Sequence, residues 1–139
     1  MRREPSAEIA ERGSMAVETV LLAPVILLFI LFLVGAAVIV ESQGEVNGAA
    51  RDAARAASVQ RNLGSAERAA TDAARASLGN SCSSPVVSLA GSNWTEGGEV
   101  HVRVRCKLDL GAVAGFGFSA SKEMTATAVA PLEQFRRVD

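Results

Sequence analysis

The chain has 139 residues, of which 49% are hydrophobic, and a formal net charge of −1; its aromatic residues are five Phe and one Trp. This length holds one domain, or one membrane segment plus one small domain. The near-neutral charge excludes the bulk basic character of a nucleic-acid binder, and so few aromatics exclude a large conventional core.

Residues 1–13 are polar and carry Arg2, Arg3 and Arg12 beside Glu4, Glu8 and Glu11. Residues 20–40 then read VLLAPVILLFILFLVGAAVIV, with no charge. As a helix this run spans about 31 Å, the thickness of a bilayer's hydrocarbon core. Soluble proteins seldom contain a buried helix so long and apolar on every face, so the run predicts a membrane helix. Pro24 removes one hydrogen bond in its first turns and predicts a bend there. Gly35, Ala36 and Ala37 permit close approach of another helix. Beyond the run come Glu41 and Glu45, and only then Arg51 and Arg55. Basic residues close to the membrane favour the cytoplasm, which predicts a cytoplasmic N-terminus and an extracytoplasmic C-terminal part.

Glu18 is the residue whose placement is chemically unusual. It stands two positions before the uncharged run, where a carboxylate enters the interface or the bilayer at a cost of about 3 kcal/mol unless paired. Gly13 lies five residues upstream, after Arg12, in the string ERGSMAVETVLLAPVILLFILFLV.

Residues 41–80 are dominated by Ala, with Arg and Asp at helical spacing. Arg68–Asp72 and Asp72–Arg75 have the spacing that can form helix-surface pairs, and Ala50, Ala53, Ala54 and Ala57 form a stripe of small residues. This predicts a helix running on from the membrane segment, interrupted near Gly44 and near Gly64 and stopped at Gly79-Asn80. The stripe either packs against sister subunits or the β part, or is solvated.

The remainder is β-rich. Residues 86–90 (VVSLA) predict a short strand, and residues 91–98 (GSNWTEGG) a loop. Residues 99–110 (EVHVRVRCKLDL) alternate strictly between apolar and polar, the signature of a strand with one buried face. Its polar face carries Arg103, Arg105 and Lys107, expected to be solvated. His101, the only histidine, has no companion for metal binding or catalysis. Residues 111–118 (GAVAGFGF) read as an apolar link presenting Phe116 and Phe118. Residues 123–130 (EMTATAVA) read as a last strand ended by Pro131, with a frayed tail at 132–139. Cys82 and Cys106, the only cysteines, fall on the extracytoplasmic side, where a disulfide is expected; two reduced, buried thiols are the alternative.

The fold expected from these elements is α+β. A long N-terminal transmembrane helix continues into an Ala-rich stalk helix, followed by a small antiparallel sheet of about three strands. The corresponding segments are 1–13, 14–40, 41–80 and 81–139. No glycine-rich phosphate loop, HExxH sequence or His-paired nucleophile occurs. The expectation is therefore a protein that is not an enzyme, with no cofactor, no metal and no nucleic-acid partner.

The stretch around Gly13 and Glu18 resembles the processing site of type IV prepilins, in which a Gly, five residues ending in Glu and a long apolar helix follow one another. More specifically, RGSMAVETVLLAPVILLFI is similar to the N-terminal motif of the TadE-like proteins, minor pseudopilins of tight-adherence (Flp-type) pilus systems. Their small C-terminal part ends in Thr/Ala-rich sequence, as MTATAVAP does here. The resemblance implies cleavage between Gly13 and Ser14 by a prepilin peptidase and an assembly role for the Glu18 carboxylate. Pro24 matches a proline of the family's helix. The implied partners are that peptidase, other pilin-like subunits with their assembly machinery, and the lipid bilayer. The implied location is the bacterial cell membrane, single-pass, with incorporation in a pilus.

A free amine at Ser14 is cationic near neutral pH. The Glu18 carboxylate of one subunit would then neutralise the amine of the next in a bundle of parallel helices. Two other readings stay open: an uncleaved single-pass envelope protein with a small partner-binding domain, and a secretory signal peptide cut after Gly35-Ala36-Ala37. The three give mature chains starting at Ser14, at Met1 or near Val38.

Overall fold

The computed structural model describes the backbone of residues 6–109 and 121–132, with side chains from Ala16 onward. In chain order it contains α1 (Ser6–Ser58), α2 (Leu63–Leu78), a 3-10 turn (Gly79–Ser81), β1 (Val86–Ser88), β2 (Glu99–Asp109) and β3 (Ser121–Pro131). This is the α+β architecture that the sequence predicts. The chain divides into two compact units, Met1–Ala37 and Val38–Asp139.

The first unit is the N-terminal part of α1. Its side chains from Ala16 to Val34 are all exposed, with Val20 at 71% and Phe32 at 70%. Pro24 lies inside the helix, where its missing N–H costs a single backbone bond. This exposed helix is long and apolar enough to cross a membrane.

The second unit has its own core. Val46, Ala49, Ala50, Ala53, Ala54 and Ala57 of α1 are buried, and spacings of three and four put them on one helix face. On α2 the buried residues Ala66, Ala70, Ala74 and Leu78 recur every four positions. Both stripes join Val100, Val102, Val104 and Cys106 of β2 and Met124 and Ala126 of β3 in one hydrophobic cluster. The Ala stripe of 50–57 thus packs within the chain's own core. Alanine at these positions leaves room only for close neighbours, so the packing depends on short distances rather than on large side chains.

Two expected helix interruptions resolve differently. The one near Gly44 is absent: α1 runs unbroken to Ser58, anchored around Gly44 and Gly48 by the burial of Val46, Ala49 and Ala50. The other exists but lies before Gly64, at residues 59–62. Gln60 N–H donates to the Ala57 carbonyl at 3.0 Å. Asn62 then caps α2, its Oδ1 accepting from Ser65 N–H at 2.8 Å, as N-cap Asn does. Gly64 falls inside the first turn of α2. At the other end Gly79, with φ 51°, ends the helix, its N–H donating to Arg75 O.

The sheet order is β1-β2-β3, antiparallel throughout. On its inner face Val100, Val102, Val104 and Cys106 lie opposite Ala130, Ala128, Ala126 and Met124. On the outer face His101, Arg103, Arg105 and Lys107 lie opposite Val129, Thr127, Thr125 and Glu123, and the three basic residues are exposed. β1 covers only residues 103–105 of its neighbour. Past its end Ser92 takes over: its hydroxyl accepts from His101 N–H at 3.0 Å and donates to Leu89 O at 2.7 Å. Asn93 N–H continues the ladder to Glu99 O at 2.9 Å.

The loop at 91–98 is therefore tied down. Gly98 is buried, its N–H donates to Thr95 O and its carbonyl accepts from Leu132 N–H, each at 2.9 Å. Trp94 Nε1–H reaches Arg61 O at 3.4 Å, linking this loop to the α1–α2 turn. Leu132, expected to begin a frayed tail, is buried because of that bond to Gly98. The rest of the tail lies outside the described residues, as does the apolar link with Phe116 and Phe118.

Candidate assembly site on the N-terminal helix

The residues singled out around the apolar run all lie on α1. Gly13 and Ser14 lie on its N-terminal backbone, and Glu18 and Pro24 follow within the same helix. At 1.5 Å per residue Ser14 and Glu18 are about 6 Å apart along the axis, on one helix face. Glu18 is exposed, as are Ala16, Val17, Thr19 and Val20 around it. Downstream the next charge on the helix is Glu41. A carboxylate therefore stands at one margin of a fully exposed apolar cylinder. Such a surface is stable when lipid or other helices cover it. If the chain begins at Ser14, Glu18 lies in the first helical turns, where the helix dipole favours negative charge.

Cys82 and Cys106 are joined by a disulfide, with a Cα–Cα distance of 5.9 Å and a sequence separation of 24. Both are buried. The bond connects the end of the α2 segment to the middle of β2, from the inner face of the sheet. Among the described residues no group of three His, Cys, Asp or Glu side chains is placed to hold a metal ion. His101 instead sits on the outer face with Nε2 2.8 Å from Glu99 Oε1.

Several contacts that organise the second unit carry no clear sequence signal. Gln43 Nε2 donates to Thr125 O at 3.3 Å, so α1 reaches the edge of β3. Ser92 and Trp94 lie in a stretch that reads simply as a loop. Only Asn62, one residue before Leu63 and three before Ser65, has the local chemistry of a cap that a sequence reading recognises.

No curated protein and no solved structure matched this chain. A family model did, over the segment that holds Gly13, Ser14, Glu18, Pro24 and the first part of the buried Ala stripe. Residues 13–55 match the family described as TadE-like protein, and over that stretch the chain is similar to that family.

Proposed function

We propose that this chain is a minor pilin-like subunit acting in the assembly or localisation of a tight-adherence pilus, and that a prepilin peptidase cuts it between Gly13 and Ser14. One observation carries the reading. A carboxylate, Glu18, stands five residues after Gly13 at the margin of an apolar helix exposed on all sides, within the stretch that matches the TadE-like family. A helix of this kind fits a single-pass membrane protein.

Cleavage replaces a polar leader by a cationic α-amine at Ser14. In a bundle of parallel helices that amine meets the Glu18 carboxylate of a neighbour, and neither charge is then buried alone. Pro24, one bond short, lets the helix bend as it joins such a bundle. The C-terminal unit remains on the extracytoplasmic side, where its disulfide is stable.

The test is the intact mass of the protein from membranes with and without a prepilin peptidase. The expected result is loss of residues 1–13 only when the peptidase is present. A second arm uses Glu18→Gln, which should be cleaved yet fail to join assembled subunits. A chain that keeps its leader in the presence of the peptidase overturns the proposal.

A further inference from the structure

The face of α1 that points away from the core carries an unusual charge order. Glu41 and Glu45 are four residues apart, Arg51 and Arg55 are four residues apart, and each Arg follows its Glu by ten positions. All four are exposed, and none makes an ion pair among the described residues. The buried stripe of Val46, Ala50, Ala53 and Ala57 occupies the opposite side of the helix. Between and beside the charges sit Gly44 and Gly48, where an added Cβ would meet nothing within 4 Å. Among the described residues, no other part of the chain covers this face.

We infer that this stripe is a contact surface for a second copy of the same chain, shifted along the helix axis by ten residues. Moved by ten positions, or about 15 Å, the acidic pair of one copy lies level with the basic pair of the next. Glu41 then meets Arg51, and Glu45 meets Arg55. Asp52, which shares the face, falls level with the uncharged Ser42. An unshifted parallel pair instead sets Glu beside Glu and Arg beside Arg, which is repulsive. Antiparallel pairing is closed to copies that share one orientation in a membrane.

The two charge pairs are also about 80° apart around the helix at 100° per residue. The patch that receives one neighbour therefore differs from the patch offered to the next. That contact is heterologous, and it propagates as an open array rather than closing as a dimer. Two copies seated at equal depth in a bilayer cannot make it, since 15 Å is about half the hydrocarbon thickness. It becomes available when one copy is raised relative to the other, as in a growing filament. The inference rests on the proposed pilin-like role and concerns a different neighbour from the one whose amine meets Glu18, since that contact needs a shift of only four residues, or about 6 Å.

The experiment uses the full chain in cells that carry the pilus machinery, with a benzophenone amino acid at Gly44. After irradiation, adducts are mapped by mass spectrometry. The expected adduct joins two copies, with the second copy modified within residues 51–58. The combination R51E/R55E should lower its yield about fivefold or more, the scale of two exposed ion pairs made repulsive. The fourfold swap E41K/E45K/R51E/R55E should restore it. Adducts within residues 41–48 of the second copy, on another protein, on lipid alone or none at all overturn the inference. So does a yield unchanged within about twofold in R51E/R55E, where two exposed pairs should matter. Intact mass of the same sample separates the two failures. A retained leader counts against the proposed function, whereas a processed chain without the shifted adduct counts against this contact alone.

Discussion

Replacing both Cys82 and Cys106 by Ala should destabilise the C-terminal unit by about 3.5 kcal/mol, the chain-entropy value for a loop of this length. The two cysteines are 24 residues apart with Cα atoms at 5.9 Å, a separation typical of a bridged pair. The bridged loop contains β1, the tied loop at 91–98 and half of β2. Without the bond, β1 is held by three register pairs, by the bonds of Ser92 and Asn93 just beyond it and by the packing of Val87 and Leu89 on the core. Ala is the right replacement because both sulfurs are buried and a serine hydroxyl there would lack a partner. For a unit of roughly 100 residues, each kcal/mol shifts Tm by about 4–8 °C, so the double variant should melt about 14–28 °C lower. The assay is thermal unfolding of the full chain in detergent, followed by circular dichroism in the β region. A drop of less than about 5 °C would mean that helix and sheet packing alone set stability, and the reasoning would fail. Reductant should attack the wild-type bond slowly, since access needs local opening.

Three further outcomes test the packing. Gly98→Ala should cost about 2 kcal/mol or more, because its Cβ would collide with the Asn93 carbonyl oxygen, itself part of rigid backbone; chemical denaturation reads the loss. Ala70→Leu, at a position with no exposed surface, should cost about 1–3 kcal/mol by overpacking the helix against its neighbours, whereas Ala56→Leu on the partly exposed side should be near neutral in the same assay. Asn62→Ala should cost about 1 kcal/mol through loss of the bond from Ser65 N–H, and should raise hydrogen exchange first in the opening turn of α2.

The sequence was most legible where a single period dominated. The alternation of residues 99–109 placed Val100, Val102, Val104 and Cys106 on one face, and the structure buries all four. The apolar run stood out because no face of it is polar. The Ala-rich middle was harder. Alanine is compatible with burial and with solvent, so its stripe did not reveal whether it packed inward or outward. Glycine likewise misled at Gly44, since a weak helix former is tolerated when Val46 and Ala49 hold the adjacent turn in the core. The tied loop was illegible for another reason: Ser92 and Gly98 act through backbone groups of residues brought near by folding. The Leu132–Gly98 bond spans 34 positions in sequence, beyond any local pattern.

The two units differ in what completes them. Val38–Asp139 has a core of its own: among the described residues its buried apolar side chains form one cluster, its sheet turns Val100, Val102, Val104 and Cys106 inward, and a disulfide fastens that strand. The apolar part of α1 is different, since Val20 through Val34 are exposed around the whole helix. Substitutions should sort accordingly. Changes at Val102 or Ala70 should appear in unfolding of the isolated chain, with assembly lost only because the fold is lost. Changes at Glu18 should leave unfolding untouched, because the residue is exposed, and should appear only where helices meet other helices or lipid. A Glu18 variant that melted early would show that the helix margin contributes to the fold, and the division of labour between the two units would have to be abandoned.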